Sequence, residues 1–236
     1  MKCISVIIPF FNEEFEIKRV FKDISKFELK KNNIIKEYIF IDDGSKDKSL
    51  TLLKNFKKKI FVKNKIKIIL NEKNIGWAKS LIKGYKMSSG KYSLFIPGDG
   101  EAKLCEFLKI NNFEDDVIIF QRISMSSRPF IRIIMSKMYK IILFILFPIK
   151  FIDLNGIILI KNNKINSLNL TSNSFFISAE IIIKSFINNY KIDTGKNFKL
   201  IKKKKYKSTS LNFKQIRLVS VDLIKLFIFR INKIFK

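Results

Sequence analysis

The chain has 236 residues, 47% of them hydrophobic, enough to bury the core of one domain with at most a short appendage. It contains no histidine and only two cysteines, Cys3 and Cys105, which excludes histidine-based acid–base chemistry, imidazole or paired-thiolate zinc sites and a disulfide framework, and leaves two free thiols suited to a reducing compartment. A formal net charge of +27 points to phosphorylated substrates, anionic membranes or nucleic acid as partners, although part of the excess reflects the lysine-rich composition of the whole chain.

No secretory signal is expected in the opening residues, since the apolar run ending at Pro9 lacks a basic lead and a cleavage site. Ile4 to Pro9 instead reads as a short buried parallel strand. Asn12 is placed to cap a helix with Glu13 and Glu14 in its first turn, and Ile17, Val20, Phe21, Ile24 and Phe27 follow at helical spacing. Tyr38 to Ile41 is a second strand, running into Asp42-Asp43-Gly44-Ser45. Asp47 then caps a helix carrying Leu50, Leu53 and Phe56. Ile66 to Leu70 is the third strand. Trp77, Leu81, Ile82 and Tyr85 mark the third helix, with Gly90 as its stop. Tyr92 to Ile96 is the fourth strand, running into Pro97-Gly98-Asp99-Gly100-Glu101.

Strand–helix alternation of this kind predicts an α/β fold with a mostly parallel central sheet flanked by helices. Ligands then bind beyond the carboxyl ends of the strands, where the acidic and glycine-rich clusters lie. Each cluster alone could be an ordinary turn; three in register point to a site.

The second half is less regular. Over Phe130 to Phe147, Arg132, Ser136, Lys137 and Lys140 form one narrow polar stripe on an apolar helix, shaped for a membrane interface or for packing with one wet edge. Its longest uncharged apolar run, Ile141 to Ile149, falls well short of the ~20 residues of a spanning helix, so no ordinary transmembrane segment is expected. Leu211 to Lys236 is a further helical stretch with less clean amphipathy, and the basic run Lys202 to Lys205 lies just before it. Both suit an anionic leaflet. The expected division is a catalytic domain over 1–205 and a basic, apolar extension over 206–236.

With no imidazole, a metal must use oxygen ligands, which favours Mg2+ or Mn2+. Asp99 and Glu101, one residue apart on a turn, are the best such pair. A cation there would neutralise a leaving diphosphate. Asp42 and Asp43 can accept from ribose hydroxyls or a base edge. Neither G-x-G-x-x-G nor G-x-x-x-x-G-K-S/T occurs, so dehydrogenase and P-loop chemistries lose their main support. Glu180, in an apolar helical stretch, reads either as a base with a raised pKa or as a buried hydrogen-bonder.

Ile7-Ile8-Pro9-Phe10-Phe11-Asn12-Glu13-Glu14, Ile41-Asp42-Asp43-Gly44-Ser45, Asn74-Ile75-Gly76 with Gly84, Gly90 and Tyr92, and Asp99-Gly100-Glu101 resemble, in order and spacing, the family 2 glycosyltransferases. The resemblance covers residues 1 to about 105. It implies a Rossmann-like nucleotide-diphospho-sugar transferase fold of the GT-A type and inverting chemistry. It also implies a nucleotide pocket lined by Pro9, Phe11, Glu13 and Asp43 with Asp42 beside them, and Asp99 and Glu101 at the metal-binding D-x-D position, with Glu as the departure. Arg122, Arg132 with Ser136, and Asp153-Leu154-Asn155-Gly156 with Lys161 resemble the polyprenyl-phosphate branch, where two arginines and a later basic segment, Lys203 to Ser210 here, hold phosphates.

The function implied is sugar transfer from a UDP- or GDP-sugar to a polyprenyl phosphate, by a peripheral enzyme on the inner face of the cell membrane. Asp99, Glu101, Arg122 and Arg132 would be the catalytic groups. A phosphate acceptor needs no base. The alternative acceptor is a hydroxyl of a surface polysaccharide or lipid-linked oligosaccharide, with Asp153 or Glu180 as base. A third reading, a non-enzymatic basic module on membrane or nucleic acid, has no nucleic-acid-binding signature behind it, and nucleic acid is not expected as a partner. Oligomeric state is not legible.

Overall fold

The computed structural model describes residues 3–29, 34–62, 65–107, 114–122, 130–147, 154, 156–198 and 213–234, and for 130–136, 140, 213, 214 and 234 the backbone only. The first half follows the expected alternation: β1 (Ile4–Phe10), α1 (Ile17–Leu29), β2 (Ile35–Asp42), α2 (Ser49–Lys59), β3 (Ile66–Leu70), α3 (Trp77–Met87) and β4 (Tyr92–Phe95). The second half supplies α4 (Leu104–Phe107), β5 (Val117–Arg122), α5 (Phe130–Leu146), β6 (Ile157–Lys161), α6 (Asn162–Ser167), α7 (Ile177–Ile187), β7 (Ile192–Phe198) and α8 (Phe213–Ile234).

All seven strands join one sheet in the order β3-β2-β1-β4-β6-β5-β7. The pairs β1–β2, β1–β4, β2–β3 and β5–β7 are parallel, and β6 runs antiparallel to both β4 and β5. The sheet is therefore mostly parallel, with one reversed strand. Every residue of β1 is buried, because helices cover both faces of the central strands; this is why its sequence reads as a continuous apolar run rather than an alternation. Ile17, Val20, Phe21, Ile24 and Phe27 of α1 all enter the main core, as their spacing predicts. A smaller second core, with Leu143, Phe147, Phe176, Ala179, Ile183 and Leu226, joins α5, α7 and α8.

Three local expectations change. α1 begins at Ile17, so Asn12 does not cap it; Asn12 sits at φ +55° and its Oδ1 accepts the Lys46 N–H at 2.8 Å. Gly90 lies beyond the end of α3 at Met87. Its place is a close approach to β1, where a Cβ would fall 2.7 Å from the Cys3 carbonyl oxygen. Asp47 is not the cap of α2, since Lys48 holds that position; Asp47 lies one residue earlier and its Oδ1 accepts the Ser49 N–H at 2.9 Å, while α2 buries Leu53 in full.

A polar knot closes the opposite edge of the sheet from the strand carboxyl ends. Glu37 Oε1 accepts from Ser5 Oγ (2.6 Å) and from Ser89 N and Oγ (both 2.8 Å), while Oε2 pairs with Lys67 Nζ at 2.6 Å. Burial pushes the carboxyl up, but these donors outweigh it and hold it at about 2, below its ordinary 4.5. A depressed folded pKa means that the stability it confers is present above pH 4.5 and is lost as pH falls towards 2. Glu37→Gln is expected to cost about 2 kcal/mol at pH 7, a figure lowered because Lys67 is half in solvent. In thermal melts, the gap to the parent should close between pH 4.5 and 2.

Candidate active site

Because β1 to β5 and β7, apart from the reversed β6, point the same way, Phe10, Asp42, Leu70, Phe95 and Arg122 end at one edge of the sheet. Phe10 lies opposite Asp42, and Asp42 opposite Leu70. The reversed β6 enters at this same edge, with Ile157 opposite Phe120.

The loops after β1 and β2 are laced together. Asn12 N–H donates to Ser45 Oγ (3.0 Å), Glu13 N–H to Ser49 Oγ (2.8 Å) and Glu14 N–H to Asp47 Oδ2 (3.0 Å). In return, Lys46 and Lys48 N–H groups donate to Asn12 Oδ1 (2.8 Å) and Glu14 Oε2 (3.0 Å). Five bonds crossing between two loops more than thirty residues apart leave little freedom in either. Burial raises the Asp47 carboxyl, but its bonds from Ser49 and Glu14 win and hold it below the usual range.

Asp42 and Asp43 are each only 3% exposed. Asp42 Oδ1 accepts the Ser45 N–H at 2.8 Å, which forms the turn. Asp43 reaches the third loop: Oδ1 accepts from Asn71 Nδ2 and Ile75 N–H, and Oδ2 from Gly76 N–H, all at 3.0 Å. The Asp43 carboxylate thus pins the Asn71–Gly76 loop beside the turn. Asn71 is the hub that sequence reasoning missed. It also donates to Ser80 Oγ (2.8 Å) and accepts from Lys83 Nζ (2.8 Å). Its signal was available, as the first polar residue after the third strand.

Gly44 makes this junction possible. Its φ is +76°, and a Cβ would lie 2.7 Å from the Lys73 carbonyl carbon and 2.8 Å from Asn74 N. Gly44→Ala is expected to cost about 2–3 kcal/mol from left-handed strain and backbone overlap. Urea unfolding of the variant beside the parent checks it.

The fourth loop lies against the first. Gly98 N–H donates to the Pro9 carbonyl at 3.2 Å, and a Cβ at Gly98 would strike Phe10. This contact brings Asp99, partly buried, next to the β1 end. Asp99 Oδ1 accepts the Glu101 N–H at 3.0 Å, which folds the turn and sets both carboxylates on it. Among the described residues no cluster of three or more His, Cys, Asp or Glu could hold a metal by itself. Two half-buried carboxylates suit a cation that takes its remaining ligands from phosphate and water, as Mg2+ and Mn2+ do.

Among the other predicted groups, Phe11 is 40% exposed at the mouth of the edge and Glu13 is half-buried. Arg122 ends β5, half-buried. Arg132 and Ser136 lie on α5 with their side chains outside the described residues, as are Asp153, Asn155 and the basic segment of residues 202–210. Trp77, at the start of α3, meets Phe95 edge-on (5.2 Å between centroids) and Phe175 at 5.7 Å, so the 171–176 segment reaches this end of the sheet.

Glu180 takes the second of its two readings. It is 2% exposed, pairs with Lys184 Nζ at 2.6 Å, and accepts the N–H groups of Thr171 and Ser172, both at 2.9 Å. Burial alone raises it; Lys184, Ser172 and Thr171 more than compensate and hold it below the ordinary carboxylate range. The depressed pKa runs against the other reading, a base with a raised pKa.

Comparison with known proteins agrees with this architecture. Glucosyl-3-phosphoglycerate synthase from Mycobacterium tuberculosis, solved with Mn2+, UDP-glucose and phosphoglyceric acid, matches with a TM-score of 0.70 at 15% identity, over 96% of this chain and 80% of that one. The fold is thus that of the GT-A glycosyltransferases. A dolichyl-phosphate beta-glucosyltransferase of Dictyostelium discoideum is 34% identical over 116 residues, 48% of this chain and 34% of that protein. A cholesterol galactosyltransferase of Borreliella burgdorferi is 37% identical over 97 residues, 41% of this chain and 25% of that protein. The chain therefore spans about a third or less of the length of these two relatives. The family described as Glycosyl transferase family 2 matches residues 5–169, well over half of the sequence, and the chain belongs to that family.

Proposed function

We propose that this glycosyltransferase is an inverting enzyme that moves a sugar from a UDP-sugar to a polyprenyl phosphate at the cytoplasmic membrane surface, with residues 1–205 as its catalytic domain. The observation that carries the reading is the convergence of the Asp43-pinned loops, the Asp99–Glu101 turn and Arg122 on one sheet edge, in a chain without histidine. The name of the Dictyostelium relative supports the lipid phosphate, and the ligands of the mycobacterial structure support the UDP-sugar.

In this reading Pro9, Phe11, Glu13, Asp42 and Asp43 form the nucleotide side. Asp43 acts largely through the Ile75–Gly76 backbone that it holds. Asp99 and Glu101 would hold Mg2+ or Mn2+, which supplies charge neutralisation at the diphosphate. Arg122 and Arg132 orient the acceptor phosphate, whose oxygen attacks the anomeric carbon as the nucleoside diphosphate departs from the opposite face. An ionised phosphate needs no proton removed, so positioning does most of the work.

The Borreliella relative's name couples galactosyl transfer to cholesterol, whose nucleophile is a hydroxyl, and this favours a second reading with a hydroxyl acceptor. Such an acceptor requires a base, and the ion pair at Glu180 leaves Asp153 as the candidate. The test is transfer by purified protein with Mn2+ and a panel of UDP- and GDP-sugars, with and without polyprenyl phosphate. Turnover that needs the lipid phosphate supports the first reading. Donor binding with turnover only on a hydroxyl acceptor supports the second. Failure to bind any nucleotide-sugar removes both.

A further inference from the structure

We propose that the outward faces of α5 and α8 form a docking surface for an anionic lipid bilayer, an inference that rests on the lipid-phosphate reading and names the residues that would meet the membrane. The sequence reads α5 as interfacial or as packed with one wet edge, and the 211–236 stretch as a less cleanly amphipathic helix suited to an anionic leaflet. The structure explains that unclean amphipathy, because α8 is apolar on two sides.

One side of α8 is fixed inward. Asp222, 3% exposed, accepts from Asn173 N–H (2.9 Å), Ser174 N–H (3.0 Å) and Ser174 Oγ (2.6 Å). Leu226 is buried in the second core, and Arg230 donates to the Leu146 carbonyl of α5. These contacts prevent the helix from rolling its other side into the protein. That side carries Ile224, Ile228 and Ile231, which are 59%, 52% and 37% exposed. α5 likewise buries Leu143 and Phe147 and leaves Ile141, Phe144 and Ile145 at 58%, 47% and 71%. Two helices joined through one small core thus each keep a row of exposed apolar side chains, more than singly scattered surface residues would give.

Charge selects the occupant. Lys137, Arg217, Lys225 and Lys233 are exposed on these helices. Residues 130–147 contain no acidic residue, and the sole one in 213–234 is the inward-facing Asp222. Isoleucines flanked by cations match the boundary between anionic headgroups and acyl chains. A second copy would bring two such cationic faces of a +27 chain together. No helix among the described residues is long and apolar enough to cross a membrane, so the contact lies in the interface plane.

The experiment is co-sedimentation with phosphatidylcholine vesicles, with and without 30% phosphatidylglycerol, alongside UDP-sugar titration of the same samples. The parent is expected to bind the anionic vesicles preferentially. Ile224→Glu/Ile228→Glu should lower that binding at least roughly ten-fold while keeping its melting profile and donor affinity. Ile228→Trp, a milder change, should gain emission that brominated acyl chains quench. The proposal is overturned if the parent ignores anionic vesicles, if the double variant binds them equally, if brominated lipid leaves the Ile228→Trp emission intact, or if the parent is a dimer that the double variant splits without any lipid binding. Vesicle binding without donor binding keeps the dock and removes the transferase reading; donor binding without vesicle binding does the reverse.

Discussion

Asp99→Asn is expected to lower sugar transfer by a factor on the order of 10^2–10^4 while leaving the fold intact. The two effects separate because of how the side chain is used. Its Oδ1 accepts the Glu101 N–H, and the asparagine carbonyl can accept the same bond, so the turn survives. The substitution removes the negative charge, which a cation at the diphosphate requires. Stability should shift by less than about 0.5 kcal/mol, as for a partly exposed polar exchange. The check is initial-rate kinetics across a range of Mn2+ concentrations. The loss should fall on kcat, with an increased demand for metal, because charge on the leaving diphosphate grows towards the transition state. A variant within a few-fold of the parent at all Mn2+ concentrations would place the metal elsewhere. Glu101→Asp restores the second aspartate of the resembled family's D-x-D and provides the companion measurement; it should retain far more activity than Asp99→Asn.

The elements that build this edge were legible because each announces itself locally. Buried parallel strands such as Ile4–Phe10 are apolar without interruption, and the polar residues directly after them must lie at the strand ends. The three clusters therefore fall in register from the sequence alone. What escaped is long-range or locally ambiguous. β7, Ile192–Phe198, is a mostly half-exposed strand with the sequence IDTGKNF, which carries turn residues and no apolar alternation. That β6 inserts between β4 and β5 and runs antiparallel to both is a matter of packing that strand periodicity does not encode. Asn12 has the composition of a cap, yet its oxygen is taken by Lys46, thirty-four residues away. Asp43 was legible as a site residue. That it acts on the Asn71–Gly76 loop, through two backbone N–H groups and one side-chain amide, was not.

Glu180→Gln should damage stability far more than chemistry, and that contrast decides whether this carboxylate is a base. Glu180 and Lys184 are 2% and 3% exposed, and their contact at 2.6 Å is the centre of a wider junction. Lys184 Nζ also donates to the Asn169 carbonyl at 2.8 Å and lies 4.9 Å from the centre of the Phe229 ring on α8. The amide cannot neutralise Lys184, so one charge stays buried without its partner, at a cost of about 3 kcal/mol. For a domain of this size, that corresponds to a fall in Tm of roughly 6–12 °C. The carboxyl is held below its ordinary 4.5, so its contribution is present above that pH and is lost as pH falls through the folded value. The parent–variant difference should accordingly shrink in acid. At a temperature where both proteins are folded, kcat should change by less than about ten-fold; a general base would instead show 10^2–10^4-fold loss with little change in melting. Replacing the pair together, Glu180→Leu with Lys184→Met, separates the causes further. It removes both charges, so much of the lost stability should return relative to Glu180→Gln, as for buried pairs replaced by apolar residues of similar size. If the double variant is folded and still transfers sugar, no proton passes through Glu180, and a hydroxyl acceptor would have to rely on Asp153.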